Sequence, residues 1–141
     1  MIRTKDWIDE NVDYLFDYAL GYMSNTGITE PSPKFHMLDS IGRIAVISCE
    51  FWCKDDEHTK EDYEEFGALL DNLQETYGAV ASLLSFIGEK DGKPAICILS
   101  SGKGVEPTLH YKEIIWQSMA EFIDFTKTTS IPWKKVRNLK Y

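Results

Sequence analysis

The dipeptide Asp91-Gly92 stands between two apolar runs, residues 80–87 and 95–100, and no other feature constrains the chain as much. Asp-Gly tolerates the positive φ angles of a two-residue turn, so the runs predict antiparallel strands joined in a β-hairpin. A lone hairpin is marginal in water and needs other elements packed on it. The flanking sequence supplies them in the order helix, strands, helix, hairpin, helix. That order predicts an α+β fold, with an antiparallel sheet of three to five strands packed by three helices. Residues 1–133 are the expected single domain, and residues 134–141 a basic C-terminal tail.

The first helical pattern covers residues 6–23. Ile8, Val12, Leu15, Phe16, Ala19 and Met23 recur at steps of three and four and share one face. Asp6, Asp9 and Glu10 fall in the first turn, where carboxylates suit the positive end of the helix dipole. Gly21 and Ser24-Asn25-Thr26-Gly27 mark its end. A second stripe, Trp7, Tyr14, Tyr18 and Tyr22, lies beside the first. It is either a widening of the buried face or a surface for a partner, since Tyr and Trp are enriched at interfaces.

Residues 35–38 read as a short strand and residues 39–42 as a turn. Residues 44–53 read as the clearest early strand. Ile44, Val46 and Ser48 point to one face, and Ala45, Ile47, Cys49, Phe51 and Cys53 to the other. Both sets are largely apolar, so this strand is expected at the centre of the sheet, with Glu50 and Trp52 reaching toward solvent. Thr59, with Asp62 three residues on, predicts a capped helix to about residue 76. Its buried face is Tyr63, Phe66, Leu69, Leu70 and Leu73, while Glu61, Glu64, Glu65, Asp71 and Glu75 lie largely elsewhere.

Beyond the hairpin, residues 100–104 read as a flexible connection, without the spacing of a phosphate loop. Pro107-Thr108 is expected to open the last helix, with Ile114, Ile115, Met119, Phe122 and Ile123 facing the core. Lys134, Lys135, Arg137 and Lys140 then dominate a tail with too little apolar surface to offset the entropy of ordering it.

Charge narrows the functional classes. Residues 1–75 hold 17 acids against 6 bases, within a chain of 141 residues and net charge −8. Such a body repels phosphates, so direct nucleic-acid binding is not expected. No apolar run approaches the roughly 20 residues that cross a bilayer. The first six residues lack the apolar core of a signal peptide, so a cytoplasmic protein is expected. Three cysteines, an odd number, argue against a disulfide framework. Cys49, Cys53 and His58 are the one conceivable zinc set, but Cys-x3-Cys in a strand pattern with no second pair favours buried thiols. Cys97 or Cys49 with His110 is the conceivable nucleophile and base. Neither pattern is specific, and no hydrolase, zinc-protease, dinucleotide or Walker motif is present. The expectation is therefore a non-enzyme with no catalytic residue, cofactor or metal.

Leu69-Leu70-Asp71-Asn72-Leu73, Ala79-Val80-Ala81-Ser82-Leu83, Ile96-Cys97-Ile98-Leu99 and the stretch from Ile114 to Phe122 succeed one another in residues 63–126. In that order they resemble the second half of the small acidic chaperones of type III secretion, and bacterial regulators sharing their fold. The resemblance implies a dimer whose sheet and first-helix surfaces hold an unfolded segment of a partner. The expected function is a protein-binding module, chaperone-like or adaptor-like, from a bacterium or phage. The alternative is an acidic inhibitor or immunity-type protein that occupies a basic, nucleic-acid-binding site on another protein. Its motive is residues 50–75, with 10 acids against Lys54 and Lys60. The expected partner-binding residues are Trp7, Tyr14, Tyr18, Tyr22, Trp52, Glu61, Glu64 and Glu65, with a protein partner, no membrane and a homodimer.

Overall fold

Asp91 and Gly92 take φ angles of 54° and 78°, the two positive values that a type I′ turn requires. The hairpin they close is the centre of the molecule. The computed structural model describes residues 3–26, 32–50, 52, 58–116, 122–137 and 139–140. Its elements are α1 (Thr4–Thr26), β1 (Lys34–Asp39), β2 (Ile44–Ser48), α2 (Lys60–Tyr77), β3 (Ala79–Lys90) and β4 (Lys93–Gly102). They are followed by β5 (Val105–Trp116), β6 (Phe122–Phe125), β7 (Thr129–Pro132), a 3-10 turn (Trp133–Lys135) and β8 (Leu139–Lys140). The sheet is antiparallel, in the order β2-β1-β3-β4-β5-β6. β7 lies along Thr108–Tyr111 of β5, and β8 pairs with Glu89 and Lys90 of β3, beyond the end of β1.

The period-2 alternation of β3 and β4 sends apolar side chains to both faces. Leu83, Ile87, Ile96 and Ile98 meet the buried stripe of α1, which includes Ile8, Val12, Leu15 and Phe16. Leu84, Phe86, Ala95 and Cys97 meet Phe66 and Leu70 of α2 on the opposite face. The molecule is thus a sheet between two helices, with a core on each side. The start of α1 rests directly on the end of β4. A Cβ placed on Gly102 would lie 2.6 Å from Thr4 Cγ2, so only glycine permits this approach. The capping box at Thr59 forms as the sequence implies: Asp62 N–H donates to Thr59 Oγ1 at 3.2 Å, and Thr59 N–H to Asp62 Oδ2 at 2.8 Å.

Several expectations are corrected. The last helix is strand: β5 continues through Ile114 and Ile115 to Trp116. Alternation places Ile114 in the α1 core and leaves Ile115 exposed, and pairing with β4 outweighs the helix-like spacing. Pro107 lies where the β4–β5 register shifts, a place that tolerates a missing N–H. Met119 falls outside the described residues, as do the side chains of Phe122 and Ile123. The segment that resembles a chaperone's final helix is therefore strand as far as Trp116. Two α-helices are found among the described residues where three were expected, and the strands outnumber the expected three to five.

Residues 100–104 are likewise not a flexible connection, because β4 turns tightly through Lys103 and Gly104 into β5. β2 is an edge strand, not a central one, with Ile44 and Val46 each 55% exposed. Trp52 is buried against α2 instead of reaching solvent.

The basic segment after Trp133 runs back along the sheet. Trp133, Val136 and Leu139 pack on the α2-side core, and Lys134 Nζ lies 3.0 Å from Glu106 Oε1. No described helix is long and apolar enough to cross a membrane.

Two stability predictions follow from this packing. Ile98 is fully buried between the hairpin and α1, so Ile98→Ala is expected to cost about 2–5 kcal/mol in a denaturant titration. Truncation after Trp133 removes Val136, Leu139 and the β8 pairing, and is expected to lower the melting temperature. An unchanged melt would mean that these contacts add no stability.

Candidate binding cleft

α1 packs mainly against β3, β4, β5 and β6 and does not close down onto β1 and β2. On the buried side of the helix, Trp7 is only 5% exposed and belongs to the core, so it leaves the aromatic stripe. Tyr14, Tyr18 and Tyr22 remain as a ladder along one edge of α1. Neighbouring ring centroids are 6.4 and 6.3 Å apart, with interplanar angles of 31° and 17°. Tyr14 is 62% exposed and Tyr18 48%. Their i, i+4 spacing aligns them on the helix, and each ring supports the next.

Below the ladder lies a cleft of about 490 Å³. α1 forms its roof with the three tyrosines, Leu15 and Ala19. Lys34 and His36 of β1, Val46 and Ser48 of β2, and Ser85 of β3 form its floor. The register explains the grouping. Ser48, Lys34 and Ser85 are cross-strand partners in one row, and Val46, His36 and Leu83 in the next. The turn that holds β1 against β2 is fixed by Asp39. Its carboxylate accepts from Ile41 N–H at 3.0 Å, Arg43 N–H at 2.8 Å and Arg43 Nε at 2.6 Å. Burial alone would raise the Asp39 pKa, but the Arg43 guanidinium and the two N–H donors outweigh it and hold the pKa below the usual carboxylate value.

Two floor groups are polar and poorly satisfied. His36 Nδ1 is buried and has no hydrogen-bond partner among the described residues. Burial, with a smaller contribution from Lys34, lowers the His36 pKa, so the ring is neutral near pH 7. Lys34 Nζ lies 5.4 Å from the Tyr18 ring centroid, within cation–π range.

The other sequence candidates lie elsewhere. Trp52 is buried, its ring stacked on His58 with centroids 3.6 Å apart and edge-on to Phe66 at 4.6 Å. Glu61, Glu64 and Glu65 are exposed on α2, on the opposite side of the sheet from the cleft. Cys49 and Cys97 are buried on the α2 side, whereas His110 lies on the α1 side with the sheet between them. Cys53 falls outside the described residues. His110 instead bridges Ser100 Oγ at 2.9 Å and Ser130 Oγ at 2.8 Å, and Ser100 is buried.

Sequence reasoning missed Lys34, His36, Ser48 and Ser85. The alternation of residues 34, 36, 46 and 48 carried a signal, but only the strand register shows which rows meet under α1. Comparison with protein-family models, with curated proteins and with solved structures gives no match, so function is read from this chain's own geometry.

Burial lowers the His110 pKa as well as that of His36; Asp9 and Asp13 oppose the shift at His110 and Lys5 assists it. An unfolded imidazole titrates near about 6.5, so the unfolded chain takes up protons first as pH falls. Stability present at neutral pH is lost through that window and levels off below the folded pKa values. Thermal melts are expected to fall between about pH 7.5 and about pH 5, and to fall less in His36→Gln and His110→Gln. A flat profile in the parent chain would contradict the burial of both rings.

Proposed function

We propose that this protein is a non-enzymatic binding module that holds an extended, apolar segment of a partner protein in the tyrosine-lined cleft. The observation that carries this is the open cleft between the Tyr14–Tyr18–Tyr22 ladder, exposed at Tyr14 and Tyr18, and the floor strands β1 and β2. Its volume of about 490 Å³ falls in the range of ligand-binding clefts. Tyrosines offer a rigid apolar body and a hydroxyl at small entropic cost, which suits a peptide groove. Ile44 and Val46 extend the apolar floor to the sheet edge. β2 has neither Lys nor Pro to blunt that edge, so a second copy or a partner strand can add there. Holding an unfolded client is also what the resemblance to the secretion chaperones implies.

A second function has its own support. Glu61, Glu64, Glu65, Asp71 and Glu75 are all exposed on α2, and Lys60–Glu64 at 3.9 Å is the one ion pair among them in the described residues. That face suits a basic target, as an acidic inhibitor would.

The test is selection of peptides by the full chain from a random-peptide library, followed by calorimetric titration. Selected peptides are expected to be apolar and uncharged at alternate positions. Tyr18→Glu is expected to weaken them by about tenfold or more with little change in melting temperature. Binding untouched by Tyr18→Glu would remove the cleft from consideration. Basic peptides that are released by salt and by charge reversal at Glu61, Glu64 and Glu65 would favour the inhibitor instead.

A further inference from the structure

Among the described residues, the bases in the acidic half of this chain are paired locally with carboxylates, with one exception. Arg3 pairs with Asp6, Lys5 with Asp9, Arg43 with Asp39 and Lys60 with Glu64. Lys34 has no carboxylate partner among the described residues, and its ammonium is turned into the cleft beneath Tyr18. In a chain of net charge −8, acids are plentiful, so an unpaired half-buried cation is not explained by scarcity. His36, two residues along β1 on the same face and about 6.6 Å away, keeps a buried Nδ1 without a partner. Ser48 and Ser85 flank Lys34 on the neighbouring strands. Among the described residues Ser85 Oγ is engaged only with the Lys34 carbonyl, at 3.5 Å. Glu50 is the one carboxylate in the lining among the described residues, and it is solvent-exposed.

We propose that Lys34, His36, Ser48 and Ser85 form a carboxylate subsite, and that it takes the chain-terminal carboxylate of an apolar residue at the end of the bound segment. This rests on the cleft being a peptide-binding site and specifies the chemistry of its occupant. One ammonium balances one carboxylate; a phosphate dianion would leave a charge uncompensated beside apolar walls. The hydroxyls and the imidazole supply further donors to the two carboxylate oxygens. The distance from Lys34 Nζ to the Tyr18 ring requires charge and apolar surface within a few ångströms of each other in the ligand. A terminal α-carboxylate meets this, since it shares its carbon with the side chain. A free apolar acid has the same chemistry and is the other source to be separated.

The test uses two matched pairs on the full chain at neutral pH. The first is a cleft-binding peptide ending in Phe, as free acid and as amide. The second is 3-phenylpropionate and its primary amide. The acid peptide is expected to bind at least about tenfold more tightly than its amide, as a charge-assisted hydrogen bond implies. Lys34→Met, which keeps the aliphatic stem, is expected to reduce the acid to the affinity of the amide, and Lys34→Arg to retain the preference. Acid preference in the peptide pair alone assigns the subsite to a chain terminus, while preference in the 3-phenylpropionate pair alone reassigns it to free acids and overturns the proposed occupant. Equal affinity of acid and amide in both pairs, or a preference that survives Lys34→Met, overturns the subsite. If peptide binding is then still lost in Tyr18→Glu, the cleft function stands without it.

Discussion

The structure depends on the antiparallel pairing of β3 with β4, ten residues on each strand, apolar on both faces. A strand pair of this kind cannot be stable with one face in water. It recruits α1 to Leu83, Ile87, Ile96 and Ile98, and α2 to Leu84, Phe86, Ala95 and Cys97. The type I′ turn at Asp91-Gly92 sets the register, and a slip of one residue would exchange the two faces and mismatch both helices. Other strands are added outward from this pair, β1 and β2 on one side and β5 with β6 and β7 on the other.

The cleft follows from a mismatch of widths. A helix with its side chains is about 10–12 Å across. Six strands spaced about 4.8 Å apart are wider than one helix can cover. α1 packs mainly against β3, β4, β5 and β6 and stands off from β1 and β2, over which only its tyrosine edge projects. On the opposite face, Trp133, Val136 and Leu139 help α2 to close the core. Among the described residues the α1 side has no such supplement at its open end, and the tyrosine ladder borders what remains.

Electrostatics gives the two surfaces different characters. The outer face of α2 carries the exposed carboxylates Glu61, Glu64, Glu65, Asp71 and Glu75. The cleft contains an ammonium, a neutral imidazole and serine hydroxyls under aromatic cover. An acidic exterior and a cleft of aromatic, cationic and hydroxyl character can coexist because the sheet separates them.

Much of this was written locally in the sequence. Asp91-Gly92 dictated the hairpin through its tolerance of positive φ, Thr59 and Asp62 dictated the start of α2, and the three- and four-residue spacing from Ile8 to Met23 dictated the buried face of α1. The Tyr14–Tyr18–Tyr22 alignment also follows from helical periodicity alone, and so does the exposed acid of α2. Tertiary structure decided the rest. Ile114 and Ile115 suit a helix or a strand by themselves, and the free edge of β4 resolved the choice in favour of strand. The apolar alternation of residues 44–48 was compatible with a central strand; sheet order put it at the edge and exposed Ile44 and Val46. Trp7 shares its stripe with the tyrosines in sequence, yet packing against the hairpin buried it, while Tyr14 and Tyr18 stay exposed at the rim. Lys34, His36, Ser48 and Ser85 come together only through cross-strand register, a relation between distant segments that no local pattern encodes.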